Sequence, residues 1–213
     1  MERLVNTPAS VRYKTKQRRT DRREQLVSIA MNHIATKGFE GLRFQEVAKG
    51  AGINNATLYY HFPTKEALIQ GVVDHLNGEL KKTSRRPSDK PVTPREELRR
   101  EFQDLRELLH TQPELFIVLC ELSLRGLRDP AIGAMEKRRD GFWREHLSGI
   151  IRRGIKQGVF SRRIHVGSAV TSLMAQMKGI GYHASLGARK RREVDKAIDD
   201  VARQVDHWLT CRR

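Results

Sequence analysis

Apolar residues recur along most of this chain at intervals of three and four positions, which is the spacing of amphipathic helices. The first clear stripe consists of Leu26, Ile29, Ala30, His33 and Ile34. Thr20 or Asp21 is expected to cap this helix. No segment shows the sustained alternation of apolar and polar residues that indicates a half-buried strand. The pattern therefore predicts an all-α protein.

Turn and charge signals group the predicted helices into two units. Residues 1–19 are polar, basic and without periodicity, so they are predicted to be a flexible arm that either contacts DNA or is simply a disordered tail. Residues 20–80 carry four helices, of which the second and third are short. Residues 81–94 contain three prolines and many charges, which is typical of a linker. Residues 95–213 are predicted to form a larger helical unit.

Charge narrows the class of partner. The 213 residues include 41 Lys and Arg against 25 Asp and Glu, a formal net charge of +16. Such a field attracts polyanions, chiefly nucleic acid or an anionic membrane, although it can also serve only solubility. The two cysteines, Cys120 and Cys211, form no CxxC pair, so neither a disulfide framework nor a metal site is expected. Without a signal peptide or a membrane-length apolar run, the protein is expected to be soluble and cytoplasmic.

Two short helices joined by a glycine turn lie between Phe44 and His61, and this arrangement can place the second helix in a major groove. Val47, Ala48, Ile53, Leu58 and Phe62 are the inward positions. This leaves polar and small side chains outward on the second helix. Amide side chains can pair with adenine, an alanine methyl can contact a thymine methyl, and hydroxyl groups can bind phosphates. The spacing predicts a helix-turn-helix that binds double-stranded DNA.

The segments Gly38–Leu42, Val47–Ala48, Ala51–Ile53, Thr57–Phe62 and Lys65–Leu68 resemble the TetR family of bacterial transcriptional regulators. The resemblance covers about fifty residues after the arm. It implies that Gln45, Asn55, Ala56 and Tyr60 face base edges and that Thr57, Tyr59, His61 and Lys65 hold phosphates.

The chain departs from the family at the start of the first of these two helices. The family often has Ser or Thr there, whereas this chain has Arg43 and Phe44. Arg43 is expected to contact phosphate and Phe44 to belong to the core, while Asn54 or Asn55 caps the next helix. The predicted DNA-binding set is Arg43, Gln45, Asn54, Asn55, Ala56, Thr57, Tyr59, Tyr60, His61 and Lys65.

The resemblance also implies a homodimer formed by the last two helices, reading a palindromic operator. The apolar stripes of these helices are long, and small residues would permit close approach: Gly167, Ser168, Ala169, Ser172 and Ala175. The alternative is that the stripes only complete the core of a monomer.

In the TetR family the middle helices enclose a site for a small-molecule effector. Aromatic and methionine side chains suit such a site, although at helical spacing they are also typical of a core. The candidate ligand-binding residues are Phe116, Leu119, Cys120, Phe142, Trp143, His146, Met174 and Met177, with Tyr182 as a further candidate and Glu121 as a second polar anchor beside His146.

These expectations combine into a dimeric repressor that an unidentified effector releases from DNA, with the helix from Thr64 to Leu80 coupling the two units. The alternative is an architectural DNA-binding protein that senses no effector. An enzyme is not expected, because the chain has no HExxH, no phosphate-binding glycine loop and no serine nucleophile elbow. No cofactor is expected.

Overall fold

The computed structural model describes the backbone of residues 9–84, 92–186 and 190–211, and side chains from residue 21 onward within those ranges except 81–84. These described residues contain nine α-helices and no strand, which confirms the all-α prediction. The chain divides into two compact units, Met1–Leu76 and Asn77–Arg213.

The helices begin and end as follows. The first unit contains α1 (Ala9–Lys37), a short 3-10 turn (Phe39–Gly41), α2 (Phe44–Gly50), α3 (Asn55–His61) and the first part of α4 (Lys65–Ser84). The second unit contains α5 (Pro94–Thr111), α6 (Pro113–Gly126), α7 (Pro130–Lys156), α8 (Val166–Ser185) and α9 (Arg191–Thr210).

The first helix is longer than the sequence pattern predicts. It begins at Ala9, so the backbone of residues 9–19 is helical and the prediction of a flexible arm is wrong for them. Thr20 and Asp21 lie inside α1 and do not cap it. Residues 9–37 contain no glycine or proline, and the Arg, Lys and Gln residues that fill the basic segment are good helix formers. Hydrophobic periodicity misses such a segment because the segment has no apolar face.

The predicted linker, residues 81–94, is also partly helical in the structure. Residues 81–84 belong to α4, which ends at Ser84, and α5 begins at Pro94 with Thr93 as its cap. Thr93 and Glu96 form a reciprocal capping box, in which the Glu96 carboxylate accepts from the Thr93 amide at 2.9 Å. Residues 85–91 lie outside the described residues.

The core of the first unit is formed by residues from all four of its helices. Leu26, Ala30 and Ile34 of α1 are fully buried, and Leu58 of α3 is too. α4 contributes a stripe consisting of Leu68, Ile69, Val72, Val73 and Leu76. Burial of this kind stabilises each large side chain by about 1.5–3 kcal/mol and sets the position of α3 against its neighbours.

In the second unit α5 packs against each of the helices α6 to α9. Its apolar face contains Leu98, Phe102, Leu105, Leu108 and Leu109. Charged side chains flank this face: Arg95 pairs with Asp206, and Arg106 pairs with Asp195 and Asp199. α6 and α7 approach closely where Gly126 meets Gly133, because a Cβ on Gly133 would lie 2.7 Å from the Gly126 carbonyl oxygen. Asp129 caps α7 and Pro130 occupies its first turn.

Candidate nucleic-acid interface

A glycine turn sets the geometry of α2 and α3. Gly52 has a φ of 64°, in the left-handed region that side-chain-bearing residues rarely adopt. The Ile53 amide then donates to the Ala48 carbonyl oxygen at 3.0 Å and closes the turn against α2. Val47 and Ala48 are buried beneath this turn, and Ile53 is half-buried.

Asn54 caps α3. Its side-chain oxygen accepts from the Thr57 amide at 2.8 Å and from the Thr57 hydroxyl at 2.9 Å. These bonds satisfy an amide of the first turn that would otherwise have no partner in the helix. Of the two cap candidates, Asn54 is therefore the cap, and the side chain of Asn55 is left outside these bonds.

The two faces of α3 differ sharply. Leu58 and Phe62 are 0% exposed, whereas Tyr59 is 52% and Tyr60 65% exposed. Asn55 and Ala56 are also exposed, and Thr57 and His61 are half-buried. Leu58 and Phe62 face inward and Asn55, Ala56 and Tyr60 face outward as the sequence predicts, whereas Thr57, predicted to face outward, is half-buried.

The flanking candidates of the predicted DNA-binding set are also at the surface. Arg43, Gln45 and Lys65 are exposed, at the start of α2 and the start of α4. The Thr64 hydroxyl accepts from the Ala67 amide at 3.1 Å and caps α4. Positive charge at a helix start adds to the dipole of the helix and favours an anion such as phosphate.

Phe44 is not a core residue, and that expectation is wrong. Its side chain is half-buried, and its ring lies 4.9 Å from the ring of Tyr59, centroid to centroid. Arg43 occupies the cap position of α2 but makes no side-chain cap hydrogen bond. The departure from the family pattern therefore replaces a capping hydroxyl with an aromatic contact between α2 and α3.

Sequence reasoning missed two side chains beside this surface. Arg23 of α1 donates from Nη1 to the His61 carbonyl oxygen at 3.0 Å, and its guanidinium carbon lies 4.2 Å from the centroid of the Phe62 ring. Arg22 lies 3.5 Å from the Ala51 carbonyl oxygen. A basic residue before an apolar stripe gives no signal in the sequence that distinguishes such a contact from a solvated charge.

The candidate ligand-binding residues of the second unit divide by burial. Phe116, Met174 and Met177 are buried. Phe116 packs against α8, where a Cβ on Gly181 would lie 2.0 Å from its ring. Leu119, Cys120 and Trp143 are half-buried. Burial raises the pKa of the Cys120 thiol, which favours the uncharged form.

Phe142 does not belong with this cluster. Its side chain is 76% exposed, and Tyr182 is exposed as well. α7 turns Trp143, Leu147 and Ile151 toward the unit interior, and Phe142 is offset from that stripe by about 100° of helix rotation. The prediction that Phe142 lines an interior site is wrong for that reason.

A buried carboxylate, which the sequence reasoning missed, connects α5 to α7. Glu101 is 9% exposed, and its two oxygens lie 3.1 Å from Trp143 Nε1 and 3.0 Å from His146 Nε2. The hydrogen bond to Glu101 raises the pKa of His146, against an opposing effect of burial. One turn away, Glu97 pairs with Arg153. A signal was available, because Glu101 lies between Leu98 and Leu105 on the apolar face of α5.

The last two helices each carry two different faces. Ala169, Val170, Leu173, Met174 and Met177 are buried within the chain, so Ala169 does not belong to an outer face. A separate row on α8, spaced by four and three residues, is exposed apart from the half-buried Gly179: Ser168, Ser172, Ala175, Gly179 and Tyr182. On α9 a second row contains the half-buried Ala197 and Val201 and the exposed Gln204 and Trp208.

Two other kinds of site are not found in the part of the chain that the structure describes. No three His, Cys, Asp or Glu side chains there are grouped so that they could hold a metal ion. No helix among those residues has both the length and the apolar character needed to cross a membrane.

Comparison with known proteins identifies the first unit. The model of the bacterial regulatory proteins of the tetR family matches residues 26–72, which contain α2, α3 and the turn between them. Over residues 26–72 the chain is similar to the TetR family. The resemblance seen in the sequence is thereby confirmed.

Individual TetR-family relatives cover different shares of the chain. The transcriptional regulator EthR of Mycolicibacterium smegmatis is 38% identical over 56 residues, which is 26% of each chain. The transcriptional repressor KstR2 of Mycobacterium tuberculosis is 24% identical over 139 residues, 65% of this chain and 69% of that protein. The chain thus matches only about a quarter of EthR.

Solved structures extend the likeness to the whole fold. The ketosteroid transcriptional regulator KstR2 of Mycobacterium tuberculosis matches with a TM-score of 0.65 at 21% identity. The match covers 89% of this chain and 95% of the KstR2 chain. A TetR transcriptional regulator from Chloroflexus aurantiacus matches with a TM-score of 0.76 at 16% identity, covering 92% of this chain and 98% of its own. At these identities the likeness establishes a shared fold.

Proposed function

We propose that this protein is a transcriptional repressor that binds a palindromic operator as a homodimer and is released by a small-molecule effector. The observation that carries the proposal is the outward face of α3, where Asn55, Ala56, Tyr59 and Tyr60 are exposed around a buried Leu58. Two exposed tyrosines on a seven-residue helix present aromatic rings and hydroxyl groups together, a combination enriched where proteins bind their partners. The proposal includes no catalytic step, and a regulator of chromosomal DNA acts in the cytoplasm.

The DNA-binding set divides by chemistry. Gln45 and Asn55 can each make paired hydrogen bonds with adenine, and Ala56 can contact a thymine methyl. Arg43 and Lys65 carry charge for phosphates on either side of the groove. The tyrosine hydroxyls, with Thr57 and His61, complete the phosphate and base contacts. The Asn54 side chain serves these contacts indirectly, since it is engaged in capping α3.

The basic N-terminal part of α1 extends this footprint. Arg12, Lys14, Lys16, Arg18 and Arg19 lie in its first turns, and residues 3–20 contain no acid. Each phosphate that these cations neutralise releases counterions and steepens the salt dependence of binding. Replacing the five by glutamine should reduce that slope by about one unit for each phosphate that the segment neutralises. An unchanged slope would place the segment away from DNA.

The dimer would form through the outward rows of α8 and α9. Small residues at Ser168, Ser172 and Ala175 allow two helices to approach closely, and Trp208 supplies apolar area. The substitution Ala175→Arg should shift the protein from dimer to monomer in sedimentation at micromolar concentration. Ala134→Arg, which alters an exposed alanine of α7 in the same way, should leave the dimer intact. A dimer that survives Ala175→Arg would exclude this interface.

The effector would contact the cluster around Phe116, Met174, Met177 and Trp143. These side chains are mainly apolar, and Glu101 lies beside Trp143, so they suit a mainly apolar molecule with one hydrogen-bonding group. Because one similar structure is that of a ketosteroid regulator, a panel of small apolar compounds should include ketosteroids. A compound that raises the melting temperature should also weaken operator binding. The proposal fails if every compound that binds leaves operator affinity unchanged.

The central test selects duplexes from a random library with the full-length protein. A repressor should enrich one palindromic sequence and bind it at least about 10³-fold more tightly than a scrambled duplex at physiological salt. An architectural protein should instead show a steep salt slope and almost no preference. That second outcome would replace the proposed function.

A further inference from the structure

We propose that Arg23 is a positioning residue that holds the C-terminal end of the recognition helix α3 at the angle needed for base contact. The inference rests on the proposed DNA-binding function, but it concerns a side chain of α1 that lies outside the predicted DNA-binding set. It starts from the two contacts that Arg23 makes at the junction of His61 and Phe62.

The end of α3 needs an external partner. Pro63 follows Phe62 and has no amide hydrogen, so the helical hydrogen-bond pattern of α3 does not continue through it. Arg23 Nη1 supplies a donor to the His61 carbonyl oxygen at 3.0 Å. A positive charge at this point also interacts favourably with the negative end of the helix dipole.

The second contact, between the Arg23 guanidinium and the Phe62 ring, restricts the orientation of the Arg23 side chain as well as its distance from α3. The Arg23 guanidinium lies 4.2 Å above the ring of Phe62, which is itself fully buried. On another side of that ring, a Cβ on Gly71 of α4 would lie 2.9 Å from Phe62 Cε1. The ring is therefore held between α1 and α4, and the guanidinium that stacks on it simultaneously donates to the adjacent carbonyl.

Only a planar, forked cation can make both contacts from one position. Lysine carries the same charge but concentrates it on a single ammonium group, so it can approach either the ring or the carbonyl. Since Arg23 is exposed, it adds little to the core. Its contribution is to the orientation of α3, whose outward side chains Asn55 and Tyr60 must reach base edges within a few tenths of an ångström.

The experiment compares Arg23→Lys and Arg23→Gln with the wild type, using the duplex enriched by selection and a scrambled duplex of equal length. We expect both variants to bind the enriched duplex about tenfold more weakly, since each base pairing contributes about that much discrimination. Binding to the scrambled duplex should change less than about twofold, and the salt slope of Arg23→Lys should equal that of the wild type. Arg22→Lys, a same-charge change at the neighbouring residue with the longer 3.5 Å contact, should bind as the wild type does.

A direct phosphate contact by Arg23 would give a different result. Arg23→Lys would then bind normally, and Arg23→Gln would lose affinity for both duplexes together with about one unit of salt slope. If Arg23 only stabilised the fold, its variants would contain a smaller fraction of protein able to bind DNA, as measured by stoichiometric titration. The affinity of that fraction for the enriched duplex would be unchanged. Either result overturns the inference while leaving the proposed function in place. A wild-type protein that prefers no duplex overturns both.

A measurement without DNA tests the same geometry. The Phe62 amide donates to the Leu58 carbonyl oxygen at 2.8 Å, and its hydrogen exchange reports the closure of the last turn of α3. We expect severalfold faster exchange in Arg23→Lys and Arg23→Gln, and no change in Arg22→Lys. Unchanged exchange in the two Arg23 variants would also overturn the inference.

Discussion

The two units of the chain use charge in different ways. Residues 1–76 contain 12 Lys and Arg against 7 Asp and Glu, and residues 77–213 contain 29 against 18, so the larger excess lies outside the helix-turn-helix unit. In the second unit many cations bridge helices, as Arg153 does to Glu97 and Lys178 does to Asp140. In the first unit the cations at the start of α2 and α4 are exposed beside the candidate DNA surface. A basic composition alone therefore does not locate a DNA-binding surface.

The aromatic residues of the two units also differ in how far apart in sequence they lie. In the first unit the exposed Tyr59 and Tyr60 and the buried Phe62 follow one another within a single turn, and the helical period assigns each to its face. In the second unit Phe116, Trp143 and Met174 come from three helices, and no local period relates them. Substitutions in the two units test this difference, from the largest expected effect to the smallest.

The largest effect should come from truncating two phenylalanines of opposite burial. Phe62→Ala should lower the free energy of unfolding of the first unit by about 3–5 kcal/mol, because the ring is completely buried. Phe142→Ala should change it by less than about 0.5 kcal/mol in the second unit, because that ring is mostly exposed. Urea unfolding followed by circular dichroism measures both.

Tryptophan fluorescence provides the control for that comparison. Trp143 and Trp208 both lie in the second unit, so their emission reports on the packing of that unit. It should be unaffected by Phe62→Ala at denaturant concentrations where the first unit melts. A cost above about 1 kcal/mol for Phe142→Ala would show that its ring is buried in solution.

Base recognition should give the next largest effect. Gln45→Ala and Asn55→Ala should each reduce affinity for the selected duplex by the equivalent of about 1–3 kcal/mol, while changing little on scrambled DNA. Asn32→Ala removes an exposed amide from α1 and should have no effect. Fluorescence anisotropy titrations at fixed salt measure these values. Equal losses on both duplexes would assign the two side chains to phosphate contacts.

Packing in the second unit should give an intermediate effect. Gly181→Ala should destabilise the unit by about 1–3 kcal/mol, because the new methyl group meets the Phe116 ring at 2.0 Å. Gly141→Ala has no atom within 4 Å of its Cβ and should stabilise α7 by about 0.5–1 kcal/mol. Thermal unfolding should therefore shift in opposite directions for the two variants. A neutral Gly181→Ala would indicate free space beside Phe116.

The smallest expected effect is the pH dependence of the free energy of unfolding that arises from His146. The pKa of His146 is raised above its ordinary value of 6.5 by its hydrogen bond to Glu101, with Glu97 adding to the shift and Arg153 opposing it. A raised histidine pKa stabilises the folded state fully below the unfolded pKa, and this contribution disappears as pH rises through the folded pKa. Because the side chain is about half exposed, the contribution should be less than about 1 kcal/mol.

The variant His146→Gln isolates this contribution. Glutamine can still donate to Glu101 but does not titrate. The unfolding free energy of His146→Gln should therefore lack the decline above pH 6.5 that is expected of the wild type. Urea unfolding between about pH 6 and pH 8 provides the measurement. Identical pH profiles would mean that the pair contributes nothing.

The helix-turn-helix could be predicted almost residue by residue, because its determinants are local. The glycine with positive φ, the Asn54 cap and the alternation between Leu58 and its exposed neighbours all lie within about ten residues of sequence. The one error, Phe44, arose because its partner Tyr59 belongs to another helix. Arg23 was missed for the same reason, since its partners His61 and Phe62 lie far along the chain, at the end of α3.

By itself the sequence determined the helical class, the cap and turn of the helix-turn-helix, and the outward face of α3, because hydrogen bonding and helical period act over a few residues. Only the tertiary structure decided which apolar stripe of each later helix is buried in the chain. It exposed Phe142, buried Glu101 between Trp143 and His146, and separated the inner face of α8 from its outer row of small residues. Those outcomes depend on which helices pack together, and a helix with apolar residues on two sides does not specify in its own sequence which side its neighbours will cover.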